Sequence, residues 1–200
     1  KRSKLAIGIH DLDKVAPPFT YSLEDPKEVR FVPLAKTEEM NLNEILERHE
    51  KGREYADLLK GADKYPIIRD SEGNVLSFPP IINGALTTVT TETRNLFIDV
   101  TGTDRKAVKG ALDIVCTALA ERGGSIGAVH MYEDGKAFVS PDLAPCDRTI
   151  SSGECDKFLG TSLGQSGTAD ALRRMGLDAA PARGDSDGVF VSVPSTRLDI

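Results

Sequence analysis

Apolar and polar positions along this chain change period several times, and each change predicts an element. Leu5-Ala-Ile-Gly-Ile9 is a short apolar run that reads as a buried strand, with His10-Asp11 at its end and a loop at Pro17-Pro-Phe-Thr-Tyr21. Residues 29–34 read as a strand, with Val29, Phe31 and Pro33 on one face and Arg30, Val32 and Leu34 on the other. Asn41 is placed as a helix N-cap with Glu44 at the reciprocal position, and Leu42, Ile45, Leu46 and His49 then follow helical spacing. Gly52 is expected to end or bend that helix, and a second piece, 53–60, to stop at Gly61. Ser71-Glu-Gly-Asn74 is a turn between apolar runs.

The most informative strand is 95–101. Leu96, Ile98 and Val100 share one face, while Phe97, Asp99 and Thr101 share the other. Gly102-Thr103 leads into a helix expected over 104–122, with an apolar stripe of Val108, Ala111, Leu112, Val115, Ala118 and Leu119. Gly123-Gly124 closes it, and 126–132 alternates as a strand. Composition shifts at Ser140-Pro-Asp-Leu-Ala-Pro145, which reads as a linker. Beyond it, short helices are expected at 151–159 and 168–175, the second capped by Gly176, and a last strand at 189–193. There are no internal repeats. The reading is a mixed α/β domain over 1–140, followed by a small helix-rich domain over 141–200.

Composition narrows the class. The hydrophobic fraction is 40%, enough for a core, and no apolar run approaches the roughly 20 residues of a membrane span. Residues 1–4 lead directly into a strand-like run, so no secretory leader is expected; the chain lacks an initial Met and reads as a piece of a longer protein. Three cysteines, Cys116, Cys146 and Cys155, stand apart without CxxC or Cys/His clustering, so reduced thiols are expected and structural zinc is not. The net charge is −6, split evenly between 1–140 and 141–200 at −3 each. Neither part is the basic surface of a self-sufficient nucleic-acid binder.

Candidate chemistry centres on Asp99 and Thr101, neighbours on one strand face. The carboxylate can accept a hydrogen bond from a hydroxyl-bearing ligand, and the hydroxyl can orient water or a carbonyl. Phe97 offers an apolar wall on that face, and the N–H groups from Gly102 to Arg105 open a helix that can hold an oxygen or phosphate. The same residues can instead serve as caps or satisfy buried backbone. Asp99-Val-Thr-Gly-Thr103 is one residue from the Asp-Lys-Thr-Gly-Thr of aspartyl-phosphate enzymes, and Gly184-Asp-Ser-Asp-Gly188 faintly echoes a later motif of that class, but Val100 stands where the Lys would be. His49 and His130 fit within their elements as structural residues. His10 follows a strand end beside Asp11, yet no Ser or Cys nucleophile is identifiable for it, so a Ser/His/Asp triad is unsupported.

Several blocks, in order, resemble the beta subunit of archaeal/eukaryotic phenylalanyl-tRNA synthetases. They are Ala6-Ile-Gly-Ile-His-Asp-Leu-Asp13, Pro17-Pro-Phe-Thr-Tyr21, Lys51-Gly-Arg-Glu-Tyr-Ala56, Leu76-Ser-Phe-Pro-Pro-Ile-Ile-Asn-Gly84 and Thr93-Arg-Asn-Leu-Phe-Ile-Asp-Val-Thr-Gly-Thr-Asp104. Arg173-Arg-Met-Gly-Leu177 and Val193-Pro-Ser-Thr-Arg-Leu-Asp-Ile200 extend the likeness into 141–200, and Cys146 to Gly167 departs from it. The resemblance implies an editing domain that hydrolyses tyrosyl-tRNA specific for phenylalanine. It implies Thr101 and Ser77 as residues orienting ester and water, and Asp99 as the reader of the tyrosine hydroxyl. Ile68 matches a pocket-wall position, with Ile67 one register away. Also implied are an alpha subunit in an alpha2beta2 assembly, phenylalanine tRNA as partner, and a cytoplasmic location. ATP and magnesium serve the whole enzyme; no cofactor is expected in this piece, although Asp199 resembles the first acid of a shared magnesium site. The alternatives are a non-catalytic scaffold that orients tRNA and the aspartyl-phosphate phosphohydrolase.

Overall fold

The structure, a computed structural model, describes residues 4–200; residues 1–3 lie outside the described residues. Two compact units divide it, Lys1–Val108 and Lys109–Ile200. The composition shift at 140–145 falls inside the second.

In chain order the first unit holds β1 (Leu5–Asp11), β2 (Thr20–Glu24), β3 (Arg30–Phe31), β4 (Met40–Asn41), α1 (Leu42–Arg48), α2 (Glu50–Tyr55), β5 (Tyr65–Arg69), β6 (Val75–Phe78), β7 (Ile82–Asn83) and β8 (Leu96–Gly102). A four-stranded antiparallel sheet runs in the order β2-β5-β6-β7, and β1 pairs with β8 as a separate antiparallel ribbon. The core gathers Val29, Phe31, Leu42, Ile45, Ile67, Phe78 and Ile81, all buried. Each such side chain contributes roughly 1.5–3 kcal/mol on burial.

Local chemistry explains the joints. Asn41 Oδ1 accepts from the Glu44 amide at 2.9 Å and Glu44 Oε2 accepts from the Asn41 amide at 2.7 Å, a complete capping box. The helix ends at His49 rather than Gly52. The buried His49 ring accepts from the Lys51 amide at 3.1 Å and so starts α2, while its other nitrogen meets the Leu34 carbonyl at 3.1 Å. Gly52 lies inside α2, where a Cβ would fall 1.8 Å from the Ile45 carbonyl oxygen, so the glycine permits close helix packing. Asp70 ties the turn before β6. Its carboxylate accepts from the amides of Ala16, Glu72 and Asn74 and from the Asn74 side chain. Burial alone would raise its pKa, but these donors outweigh burial and hold it below the usual value.

The strand expected at 5–9 forms as β1, but it is buried on one face only. Gly8 and His10 are buried, whereas Ile7 and Ile9 are 44% and 40% exposed. Alternation holds, but the inward face carries small and polar residues, because that face borders the site described below. The strand expected over 29–34 shortens to β3, with Pro33 bridging Gly84.

Helix α3 (Arg105–Glu121) carries the division between the units. Its most buried positions are Gly110, Asp113 and Cys116, one step off the expected apolar stripe. Lys109 Nζ meets the buried Asp113 carboxylate at 2.8 Å, which is what lets an acid occupy that line. The second unit continues with β9 (Val129–Glu133) and β10 (Lys136–Ser140), an exposed hairpin, then β11 (Cys146–Ser151), α4 (Ser152–Leu159), α5 (Gly164–Arg174), β12 (Asp178–Pro181) and β13 (Gly188–Val193). Two helices accompany a three-stranded sheet, β11-β13-β12. The sequence indicated only the last of these strands; β11 is polar and mostly exposed and β12 is four residues long, so neither shows a strong period. Among the described residues no helix is long and apolar enough to cross a membrane.

Candidate functional site

The register of the β1–β8 ribbon builds the site. Ala6 lies opposite Thr101, Gly8 opposite Asp99, and His10 opposite Phe97, all on one face. Small residues on β1 thus face polar residues on β8, which leaves a hollow. A cavity of about 90 Å³ occupies it, lined from the ribbon by Ala6, Ile7, Gly8, Asp99 and Thr101. The other walls are Ser77, Asn83 and the segment of Pro79, Pro80, Ile81 and Ile82, with Leu34. Pockets for drug-sized ligands run to roughly 300–1,000 Å³, so this one suits the head of a single side chain. A larger depression of about 280 Å³, lined by Ala35, Lys36, Thr37, Glu38, Met40 and Arg48, has no buried polar side chain and offers no comparable chemistry.

The structure brings together Ser77, Asp99 and Thr101. Ser77 is buried and lies opposite Asn83 across β6–β7, where its hydroxyl donates to Asn83 Oδ1 at 3.0 Å. That bond fixes the Asn83 amide and turns its nitrogen into a donor for other groups. It also engages the Ser77 proton without an adjacent base, so Ser77 is not set up as a nucleophile.

Asp99 is nearly buried, with its side chain 9% exposed. Its Oδ2 meets His10 Nε2 at 2.8 Å, and His10 Nδ1 meets the Thr87 hydroxyl at 2.7 Å. His10 is fully buried and Thr87 is 1% exposed. Gly8 is required beneath this pair, because a Cβ there would lie 1.9 Å from Asp99 Oδ2 and 2.8 Å from His10 Nε2. Tyr21 has its phenol pushed up, first by burial and then by the charge of Asp99.

Three expected residues stand outside the cavity. Phe97 packs on Phe19 in a tilted pair, 4.2 Å between ring centres, and lies 6.1 Å from the His10 ring, so it walls His10 instead of the hollow. Ile68 is buried on β5, opposite Ser77 and Tyr21, one strand behind the lining. Gly102 ends β8, with its Cβ direction blocked by the Lys4 carbonyl at 2.5 Å. Of the N–H groups expected to hold an anion over 102–105, that of Thr103 donates to the Lys4 carbonyl at 3.2 Å, and one residue on, Asp104 caps the Lys106 and Ala107 amides at 2.9 and 3.2 Å. Asp199 is the exposed partner of Arg197 at 2.8 Å, whose hydrogen bond lowers its pKa to about 2. Among the described residues no group of three or more His, Cys, Asp or Glu could hold a metal ion.

Asn83, Gly8, Thr87 and the role of His10 escaped the sequence reading. The available signal was the alternation of small residues with isoleucine in β1, since a buried strand seldom needs Ala and Gly where a cavity is absent.

A family model described as "B3/4 domain" matches residues 2–117. This chain belongs to the B3/4 domain family. Over 199 residues the B3/4 chain is 50% identical to the phenylalanine–tRNA ligase beta subunit of Methanothrix thermoacetophila, covering 100% of this chain and 36% of that protein. It is 51% identical over 200 residues to the same subunit of Methanocaldococcus jannaschii, with the same coverage. The crystal structure of an N-terminal fragment of the phenylalanyl-tRNA synthetase beta subunit from Pyrococcus horikoshii superposes with a TM-score of 0.93 at 44% identity, covering 100% of this chain and 56% of that one. The likeness read from the motifs therefore extends along the whole B3/4 chain. The chain spans about a third of the length of these curated relatives, 36% in each.

Proposed function

We propose that the B3/4 pocket hydrolyses the ester of tyrosine wrongly attached to the tRNA for phenylalanine, as the proofreading part of a phenylalanine–tRNA ligase beta subunit. The observation that carries this reading is the convergence of Asp99, Thr101, Ser77 and Asn83 on one small hollow. Tyrosine exceeds phenylalanine by one hydroxyl, and an apolar synthetic pocket rejects an added hydroxyl only about a hundredfold. A second site must therefore demand that hydroxyl. Asp99 suits this task, because His10 meets only its Oδ2 and the carboxylate lines the hollow. Phenylalanine entering the hollow would desolvate the carboxylate without offering it a hydroxyl donor, a penalty of about 1–3 kcal/mol or more.

Hydrolysis adds water across the ester. The carbonyl carbon–oxygen bond to the ribose breaks, the water oxygen joins the carbonyl, and its proton leaves with the tRNA hydroxyl. The Asn83 amide nitrogen is a donor for the carbonyl oxygen, and the Thr101 and Ser77 hydroxyls are placed to orient water and ester. No covalent intermediate on the protein is invoked. The phenylalanine tRNA and an alpha subunit are the partners this reading proposes. ATP and magnesium would act at the aminoacylation site of the whole enzyme. The phosphohydrolase reading has less support, since His10 occupies one oxygen of Asp99 and no metal cluster adjoins it among the described residues.

The test is deacylation of phenylalanine tRNA charged with tyrosine or with phenylalanine, alongside calorimetry with each free amino acid. Native protein should release tyrosine selectively. Asp99→Ala should lower the tyrosine preference roughly 10- to 150-fold, the equivalent of about 1.5–3 kcal/mol for a hydrogen bond to a charged group. No deacylation by the native protein would favour a scaffold that only orients tRNA. An unchanged ratio in a folded Asp99 variant would mean that another group reads the hydroxyl.

A further inference from the structure

We propose that His10 is a positioning residue for Asp99, and that the preference for a hydroxylated side chain depends on the buried relay Thr87–His10–Asp99. The proposal rests on the reading of the pocket given above and goes beyond it, naming what makes Asp99 a one-oxygen reader.

The argument starts from protons. His10 Nε2 lies 2.8 Å from Asp99 Oδ2, and Nδ1 lies 2.7 Å from Thr87 Oγ1. A neutral imidazole has one donor and one acceptor nitrogen. If Thr87 donates to Nδ1, then Nε2–H donates to Asp99, which remains a carboxylate. If the ring carries both protons, Nε2–H again donates to Asp99, Nδ1–H donates to Thr87, and the Thr87 hydroxyl turns to the Gly84 carbonyl at 3.4 Å. Both arrangements present Asp99 as an acceptor. With Asp99 ionised, the relay therefore has Nε2–H donating to Oδ2 and keeps the carboxylate ready for a phenolic donor.

Geometry adds a second reason. An imidazole offers one N–H in this direction, so it ties up one carboxylate oxygen. A guanidinium would engage both in a bidentate pair and leave nothing for a ligand. Histidine holds the carboxylate and still leaves Oδ1 for the cavity, which Asp99 lines.

Burial supplies the third. His10 is fully buried and Thr87 is 1% exposed, so neither can exchange its partner for water. Phe97 closes the side of the ring at 6.1 Å between centres, and the absent Cβ of Gly8 leaves the space that the pair fills. Every group around the imidazole therefore limits the carboxylate to one rotamer. Cross-strand diagonal placement of residues 10 and 99 makes the contact part of the ribbon and not of a mobile loop.

The test uses the native chain and the variants H10L, H10Q, T87V, D99N and the double variant H10L/D99N. Tyrosine and phenylalanine are titrated by calorimetry, and release of each from charged tRNA is followed, with a melting curve for every variant. D99N should reduce the tyrosine-to-phenylalanine ratio; if it does not, the reading of the pocket fails and this inference with it. H10L should reduce the ratio at least ~10-fold, the loss of a charged hydrogen bond, and H10Q, which keeps a nitrogen donor near the Nε2 position, should restore most of it. T87V, nearly isosteric, should reduce the ratio ~3-fold or more without a matching loss in melting temperature. The double variant should be no less selective than D99N alone, because both changes act through one carboxylate. A lowered ratio in D99N with unchanged ratios in folded H10L and T87V would overturn the positioning role while leaving the pocket reading intact. Additive losses in the double variant would also overturn it. If H10L does not fold, T87V decides: an unchanged ratio there rejects the relay.

Discussion

Gly8→Ala is the sharpest perturbation of this site, because it adds one methyl group at a known clash. The new Cβ would lie 1.9 Å from Asp99 Oδ2 and 2.8 Å from His10 Nε2. Ordinary contact begins near 3.4 Å, so the carboxylate would have to retreat by roughly 1.5 Å. It cannot do so and keep the 2.8 Å bond to His10. Overpacking costs about 1–3 kcal/mol, and loss of a hydrogen bond to a charged group about 1.5–3 kcal/mol. Gly8 is not among the residues with positive φ, so alanine can adopt its backbone and returns about 0.4–1 kcal/mol through the unfolded chain. The net expectation is a destabilisation of about 2–5 kcal/mol, with loss of tyrosine preference. Chemical denaturation measures the first and calorimetry with tyrosine and phenylalanine the second. Ile9→Val, on the exposed face of the same strand, is the control and should change both little, since Ile9 is 40% exposed. A Gly8→Ala protein with native stability and native preference would refute the placement of Asp99 over Gly8.

Other predictions concern separate parts of the molecule. Asn83→Ala should slow release of tyrosine from charged tRNA by about 100- to 1,000-fold if its amide stabilises the developing oxyanion, while tyrosine binding changes far less; equal losses in both would mean a structural role. Asp70, held below the usual carboxylate value of 3.8 by its donors, should stabilise the fold fully above that value and lose the contribution as pH falls through the lower folded value. Asp70→Asn should thus be less stable than the native protein at neutral pH, with the gap closing in strong acid; a gap independent of pH, measured by urea unfolding, would contradict this. With a net charge of −6, the chain alone should bind tRNA weakly and with a shallow salt slope, and tight binding at physiological salt would oppose that expectation.

The sequence by itself determined the local pieces of this protein. The Asn41–Glu44 capping box, the Ser71–Asn74 turn, the strand ending at Thr101 and the long helix after it follow from side chains acting within a few residues of themselves. Motif order carried the family, because several distinctive blocks fell in sequence along the chain. Asp99 and Thr101 were legible as a pair for the same local reason, since residues two apart on a strand share a face. Tertiary structure alone decided what surrounds them. His10 and Asp99 are 89 positions apart, and His10 and Thr87 are 77 apart, so no periodicity relates them. Only the antiparallel register places Gly8 against Asp99 and turns an unremarkable glycine into the space that the relay needs. The same register decided which face of β1 is buried. Hydrophobicity favours burying Ile7 and Ile9, but the polar groups on the other face satisfy one another, and a hydrogen-bonded network can be buried where an unpaired group cannot.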